Sequence, residues 1–137
     1  PDGSASPVGR CSIDALGNIL NISSGGLGYG IGSGGAVTQL TSKTTGVTLD
    51  KTNGTITTHN ASLGSNSTAS FILTNNKIAA TDVVVVCFKS MPTGNAYIIT
   101  VENVSGGGCV IAVRNVSPGA LAETLLINFA VIKAANA

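Results

Sequence analysis

The sequence lacks tryptophan, has one histidine and one methionine, and draws only 4% of its 137 residues from the aromatic types. It is also poor in charge, because Asp, Glu, Lys and Arg make up 9% of it, against about a quarter in an ordinary soluble domain. Hydrophobic residues still reach 43%, which is enough for a core. The surface must therefore consist largely of Ser, Thr, Asn and Gly. Such a surface is typical of a protein that is packed against copies of itself or against partners.

The scarcity of charge excludes several functions. Seven basic residues against six acidic ones give a net charge of +1, and no basic cluster occurs, so we expect no binding to nucleic acid. The apolar stretches are too short to span a bilayer as a helix. The sequence does not open on a basic segment followed by an apolar one, so we expect no secretory signal. We therefore expect no membrane association.

Residues suited to catalysis or metal binding are too few and too scattered for an enzyme. His59 is the one histidine, and no G-x-S-x-G motif supplies a nucleophile for it. One histidine with scattered cysteines gives no metal-ligand spacing, and no pair of carboxylates is favoured for acid–base chemistry. We expect no enzymatic activity, no cofactor and no metal site. The carboxylates considered are Asp2, Asp14, Asp50, Asp82, Glu102 and Glu123.

The cysteines indicate a protein made in a reducing cytoplasm. Cys11, Cys87 and Cys109 are odd in number and form no C-x-x-C motif, so we interpret them as reduced thiols. Cys87 lies in a strongly apolar segment and is predicted to be a small buried hydrophobe. A disulfide between Cys87 and Cys109 stays open as an alternative.

Eight short segments with β-type composition fill the last hundred residues. They are separated by Gly, Ser, Thr, Asn and Pro, and several alternate between apolar and polar residues. Asn53-Gly54 predicts a hairpin turn, Ser105–Gly108 a connection between two strands, and Ser117-Pro118-Gly119 a longer corner. The predicted fold is an all-β, eight-stranded antiparallel β-sandwich, as in a jelly roll. The segments are 36–42, 46–50, 54–58, 67–75, 82–89, 96–103, 109–115 and 123–133.

Two of these segments have more apolar surface than one small sandwich can cover. The run Val83–Val86 has no polar face, and residues 123–133 carry aliphatic side chains on both faces. We therefore predict a homo-oligomer. The interface candidates are Val84, Val86, Leu126 and Ile132.

The first 35 residues differ from the rest and are predicted to form an extended N-terminal arm with a glycine-rich hinge, before a sandwich domain of residues 36–137. The spacing of the aliphatic residues between 13 and 22 fits either a helix or short strands. The arm is expected to bury them on another chain, and the alternative is that it folds back on its own domain. The G-x-G-x-x-G match in the hinge precedes β-type sequence, so no nucleotide site is predicted. The contact candidates are Arg10, Ile13, Leu16, Ile19, Leu20 and Ile22, and the hinge residues are Gly28, Gly30, Gly32, Gly34 and Gly35.

Three stretches of the chain, residues 27–63, 79–86 and 106–134, resemble a domain of tailed-bacteriophage virion proteins. The resemblance is to capsid decoration or cement proteins and to the knobs of head or tail fibres. It implies a β-sandwich or jelly roll and favours a trimer over a dimer, and it brings no catalytic residues with it.

A function as a capsid decoration protein is therefore expected. The chain would bind the outside of a phage capsid, with the major capsid protein and copies of itself as partners, and would be made in the host cytoplasm. The alternative is a head-fibre or tail-fibre knob that binds a host receptor or glycan. A fibre needs a shaft of coiled coil or repeats before its knob, and none is recognisable here. Glycan sites usually use exposed Trp or Tyr, and the sequence has no Trp and two Tyr. The knob is therefore the less favoured interpretation.

Overall fold

The computed structural model describes residues 11–17, 19–21 and 26–135, and the chain divides between Gly30 and Ile31 into two units. All regular structure in the described residues is β-structure. The strands are β1 (Cys11–Ile13), β2 (Ile19–Asn21), β3 (Gly34–Thr38), β4 (Val47–Thr48), β5 (Asn53–Thr57), β6 (Thr68–Thr74), β7 (Val83–Ser90), β8 (Tyr97–Ser105), β9 (Gly108–Asn115) and β10 (Leu126–Ile132).

The first unit contains a small antiparallel hairpin of β1 and β2. Its loop is held by Asp14, whose carboxylate accepts a hydrogen bond from the Leu16 amide at 2.9 Å and whose carbonyl accepts one from the Gly17 amide at 3.0 Å. Gly17 has a φ of 83°, a left-handed conformation that glycine adopts without a steric penalty. Of the two conformations that the aliphatic spacing allows, the described residues adopt short strands.

The second unit contains two four-stranded sheets and fits a β-sandwich. The strand order is β3-β5-β10-β7 in the first sheet and β4-β6-β9-β8 in the second. Each of the eight predicted segments overlaps one of these strands, so the all-β class is confirmed. Alternating side chains place one face of each sheet in a shared core, while the other face is turned outward.

The strand directions differ from the prediction of an antiparallel sandwich. The β3–β5 and β4–β6 pairs are parallel, so both sheets are mixed. The reason is that the chain changes sheet at nearly every connection, and a strand that returns after one strand in the other sheet runs in its original direction. The jelly-roll connectivity is not confirmed.

The predicted hairpin at Asn53-Gly54 is wrong, because β4 and β5 belong to different sheets and both residues lie inside β5. Gly54 is needed for packing instead. A Cβ atom there would lie 2.7 Å from the Gly35 carbonyl oxygen and 3.0 Å from Cε1 of Phe129. The predicted connection before Gly108 is confirmed, since it joins the paired strands β8 and β9.

The core lies between the two sheets and explains the different settings of two cysteines. Cys109 is buried, whereas Cys87 is exposed, so the prediction that Cys87 is buried is wrong. Both are free thiols. The larger fully buried side chains that fill the core are Ile56, Leu73, Ile111, Leu125, Ile127 and Val131.

The end of the described chain is tied to the loop before β7 by Asp82. Its carboxylate accepts hydrogen bonds from the amides of Ala79 at 2.7 Å and Ala134 at 3.2 Å, and it forms an ion pair with Lys133. The hydrogen bond from Ala79 and the contact with Lys133 lower the pKa of the Asp82 carboxyl. These contacts hold the residues that follow β10 beside the start of β7.

Candidate functional site

The hairpin of the first unit presents aliphatic side chains to solvent. Ile13, Leu16 and Ile19 are 71%, 88% and 59% exposed. Side chains this exposed do not contribute the free energy that burial of an aliphatic group would give. Leu20 lies in β2, but its side chain is not described, and Arg10 and Ile22 lie outside the described residues. The structure thus places four of the six predicted contact residues on one short hairpin, and the three whose side chains are described are exposed.

Exposed apolar residues continue along the connection that follows the hairpin. Leu27 and Ile31 are exposed, and Tyr29 is partly so. Of the predicted hinge glycines, Gly34 and Gly35 belong to β3 rather than to this connection. A Cβ at Gly34 would lie 2.4 Å from Oδ1 of Asn53, so glycine serves close packing there. Gly28, Gly30 and Gly32 remain in the connection, with open space around them.

The outer face of the first sheet carries a second apolar surface, at the β7–β10 pair. Val83, Val85 and Ile132 are 51%, 46% and 53% exposed. Leu126 is half-buried on the same face. These four residues lie on one side of the sheet because Val83 pairs with Ile132 and Val85 with Ala130, at alternate positions of the two strands.

Val84 and Val86 are predicted interface candidates, but the structure turns both side chains inward. Val84 is 8% exposed and pairs with the fully buried Val131, while Val86 packs against the core. A run of four valines has no polar residue to fix which side faces inward. The register with β10 fixes it, and that register turns Val83 and Val85 outward instead.

A cluster of polar side chains lies at one end of the sandwich and was not predicted. Lys43 is buried, and its Nζ donates hydrogen bonds to the carbonyl oxygens of His59 and Glu123. Burial lowers the pKa of the Lys43 ammonium, and the negative charge of Glu123 partly opposes this. Gln39 adds donors to the carbonyls of Lys43 at 3.1 Å and Thr45 at 2.8 Å.

The geometry of this cluster suits the fixing of loops. The ammonium of Lys43 is committed to two backbone carbonyls, and Nδ1 of His59 accepts a hydrogen bond from the Ala61 amide at 3.0 Å. Neither group is paired with a nucleophile. No three of the described His, Cys, Asp and Glu residues come close enough together to hold a metal ion. No sequence pattern connects Lys43 with Glu123, because eighty positions separate them.

Tyr97 adds an unusual group to the same end of the sandwich. The residue is 5% exposed, and its hydroxyl has no hydrogen-bond partner among the described residues. Burial, together with the nearby Glu123 carboxylate, raises the pKa of Tyr97 to about 12. That carboxylate instead accepts hydrogen bonds from the hydroxyl and the amide of Thr93.

Replacing Tyr97 by Phe is expected to leave the protein as stable as before or about 1 kcal/mol more stable at neutral pH, because an unpaired buried hydroxyl is removed. Because the pKa of Tyr97 is raised in the folded state, the free energy of unfolding keeps its full value below pH 10 and falls as the pH rises from about 10 to about 12. The Phe variant should lose less stability than the parent over that range. Urea unfolding at neutral and alkaline pH measures both effects. A Phe variant destabilised by more than about 1 kcal/mol at neutral pH would show that the hydroxyl is bonded to Glu123.

Comparison with protein-family models, with curated proteins and with solved structures gives no match to this chain. In the part of the chain that the structure describes, no helix has the length and apolar character needed to cross a membrane.

Proposed function

We propose that this chain is a structural virion protein that binds the outside of a bacteriophage capsid and stabilises the shell, with the segment 11–31 as its binding element. The observation that supports this proposal most is the exposure of Ile13, Leu16, Ile19, Leu27 and Ile31 along that segment. Asp14 is its one charged residue, so a partner that covers it desolvates little charge. The virion setting comes from the resemblance in sequence to phage decoration proteins.

Binding by this segment would draw on burial of aliphatic side chains. Each such side chain contributes about 1.5–3 kcal/mol when fully buried, so the three on the hairpin contribute about 5–9 kcal/mol before the cost of ordering them. Association itself costs about 4–15 kcal/mol, so a single arm would bind weakly and reversibly. Self-association would multiply the number of arms per particle, so release of one arm would not detach the assembly.

The proposed partners are the major capsid protein, at a seam between its subunits, and further copies of this chain. The location would be the capsid surface. The low charge of the chain agrees with a position in an assembly, since few exposed charges would have to be desolvated or paired when an interface forms. Burial of Tyr97 leaves Tyr29 as the exposed tyrosine, which gives little support to the alternative of a glycan-binding knob.

The test is cosedimentation of the purified chain with capsids of the phage that carries its gene. Deletion of residues 1–30 removes the first unit and should abolish binding, while the sandwich unit stays folded. In the full chain, Leu16→Asp should weaken binding about 10- to 150-fold, because it removes one aliphatic contact. Ile72→Asp, at an exposed aliphatic on the outer face of the second sheet, is the matched control and should bind normally. Normal binding by the deletion variant would refute the proposal.

A further inference from the structure

The four edges of the two sheets differ in how well they are protected from pairing with another strand. Strand β4 has two residues, and β3 has five, of which the first two are glycines that weaken strand pairing. Strand β8 is interrupted by a bulge between Glu102 and Ser105, with Asn103 at a φ of 50° and the charge of Glu102 beside it. Short strands, bulges and charges are the usual means of blocking an edge.

Strand β7 has none of these protections from Val83 to Phe88, and the irregularity in its pairing with β10 lies beyond these residues, at Lys89. Its eight residues run without a glycine or proline, and Lys89, near its end, is its one charge. One side of β7 pairs with β10, and no backbone hydrogen bond joins its other side to any residue that the structure describes. Alternate amide and carbonyl groups of a strand point to each side, so β7 presents a row of unpaired groups to solvent. Water solvates such a row in the monomer, and a second strand can replace that water.

We infer that β7 pairs antiparallel with β7 of a second copy, so that two first sheets form one continuous eight-stranded sheet across a two-fold axis. A two-fold axis brings a strand against its own copy in antiparallel orientation, and it closes the assembly. Residues Val83–Phe88 are all uncharged, so no like charges oppose each other along them in this pairing. The inference deepens the proposed function, in which self-association multiplies the arms.

The alternation of side chains fixes the register of this pairing. Opposite residues in an antiparallel pair point to the same face, so the axis must pass through a residue and not between two. An axis at Val86 is the choice that brings every residue of Val83–Phe88 into the pairing. It sets outward Val85 opposite outward Cys87 of the second copy, and inward Val84 opposite inward Phe88.

This register makes a prediction about charge. Val83 and Lys89 both face outward, and the axis at Val86 places each Val83 opposite Lys89 of the other copy. The two lysines therefore lie at opposite ends of the pair and do not repel each other. Val83→Lys would set like charges opposite each other twice in a dimer, and Val83→Glu would set opposite charges there twice.

The experiment measures the mass and the dissociation constant of the full chain by sedimentation over a range of concentrations. The unmodified chain is expected to form a dimer, rather than the trimer that the resemblance favours. Val83→Lys should weaken the dimer about 2- to 30-fold and Val83→Glu should strengthen it by a similar factor, with both effects reduced at high salt. Ile98→Lys, at a 52% exposed position on the edge strand β8, should change nothing.

Hydrogen exchange gives an independent readout, because the amides on the free side of β7 should become protected as the concentration rises. A monomer at every concentration, a trimer, or equal effects of the two Val83 variants would each overturn the inference. Binding to capsids is measured separately, through Leu16→Asp. A chain that binds capsids without forming the dimer would refute the pairing and leave the proposed function standing. A chain that forms the dimer without binding capsids would refute the proposed function and leave the pairing standing.

Discussion

Replacing Gly108 by alanine should destabilise the protein by about 3 kcal/mol or more, a loss that few single substitutions reach. A Cβ atom at this position would lie 2.4 Å from the carbonyl oxygen of Leu73, which is backbone of the neighbouring strand and has no rotamer to adopt. Strands β6 and β9 would have to separate where Thr74 pairs with Gly108. Overpacking that the surroundings cannot relieve by side-chain rotation moves the backbone itself.

Two neighbouring glycines provide matched controls for Gly108. Gly106 has open space around it and no unusual φ, so Gly106→Ala should change stability by about 0.5 kcal/mol or less. Gly107 also has open space but a φ of 94°, so Gly107→Ala should cost about 1–2 kcal/mol through backbone strain alone. Urea unfolding followed by circular dichroism measures all three. The prediction fails if Gly108→Ala is no less stable than Gly107→Ala.

These three adjacent glycines also show where sequence interpretation succeeds and where it ends. Ser105–Gly108 is recognisable as a connection between two strands, because turn residues interrupt two apolar segments. The requirement at Gly108 is not recognisable, since it depends on the approach of β6, more than thirty residues away. Local composition predicts the elements, and contacts between distant segments decide what each residue does within them.

The same distinction applies to the strands and their faces. Alternation predicts that Phe71 and Leu73 lie on one side of β6, and both are buried. In β7, four valines in succession show no alternation of apolar and polar residues. The sequence alone therefore does not indicate whether Val84 and Val86 or Val83 and Val85 face outward. The parallel pairing of β3 with β5 was missed for a related reason, because the strand between them belongs to the other sheet.

The candidate site could be predicted only in part. The exposure of Ile13, Leu16 and Ile19 agrees with an arm that cannot cover its own aliphatic residues, and it follows from the shortness of the hairpin. The polar cluster around Lys43 and Tyr97 could not be predicted, because its members come from four separate loops and strands. A single lysine in a Ser/Thr-rich segment looks like a solvated surface residue until its distant carbonyl partners are known.

Replacing Asn115 by alanine should also be severely destabilising, by about 3–5 kcal/mol. The side chain is fully buried, and its Nδ2 donates hydrogen bonds to the carbonyl oxygens of Leu63 and Gly119, both at 2.8 Å. Its Oδ1 accepts from the amide of Ser117 at 2.9 Å and from the hydroxyl of the same residue at 2.6 Å. Four hydrogen bonds at about 1 kcal/mol each are lost, and the groups left unpaired in a buried setting add to the cost.

The matched control is Asn60→Ala, at an exposed asparagine in a loop, which should change stability by about 0.5 kcal/mol or less. Asn115→Asp distinguishes the two halves of the amide. A carboxylate still accepts the two hydrogen bonds from Ser117, but it places a negative charge against the carbonyls of Leu63 and Gly119. It should therefore be destabilising at neutral pH and less so in acid, where the carboxyl is protonated and can donate one hydrogen bond. Equal unfolding midpoints for Asn115→Ala and Asn60→Ala would contradict this account.

The spacing of Asn115 and Ser117 in the sequence has a structural explanation. Asn-Val-Ser at residues 115–117 has the form of a glycosylation triplet, yet the asparagine is fully buried. The spacing is instead that of an asparagine whose oxygen binds the backbone two residues later, the usual way in which this side chain starts a turn. This turn directs the chain out of β9 into the corner at Ser117–Gly119, and the bond to Leu63 holds that corner against the loop between β5 and β6. Loss of the amide should therefore release both loops together, which hydrogen exchange of their amides would show.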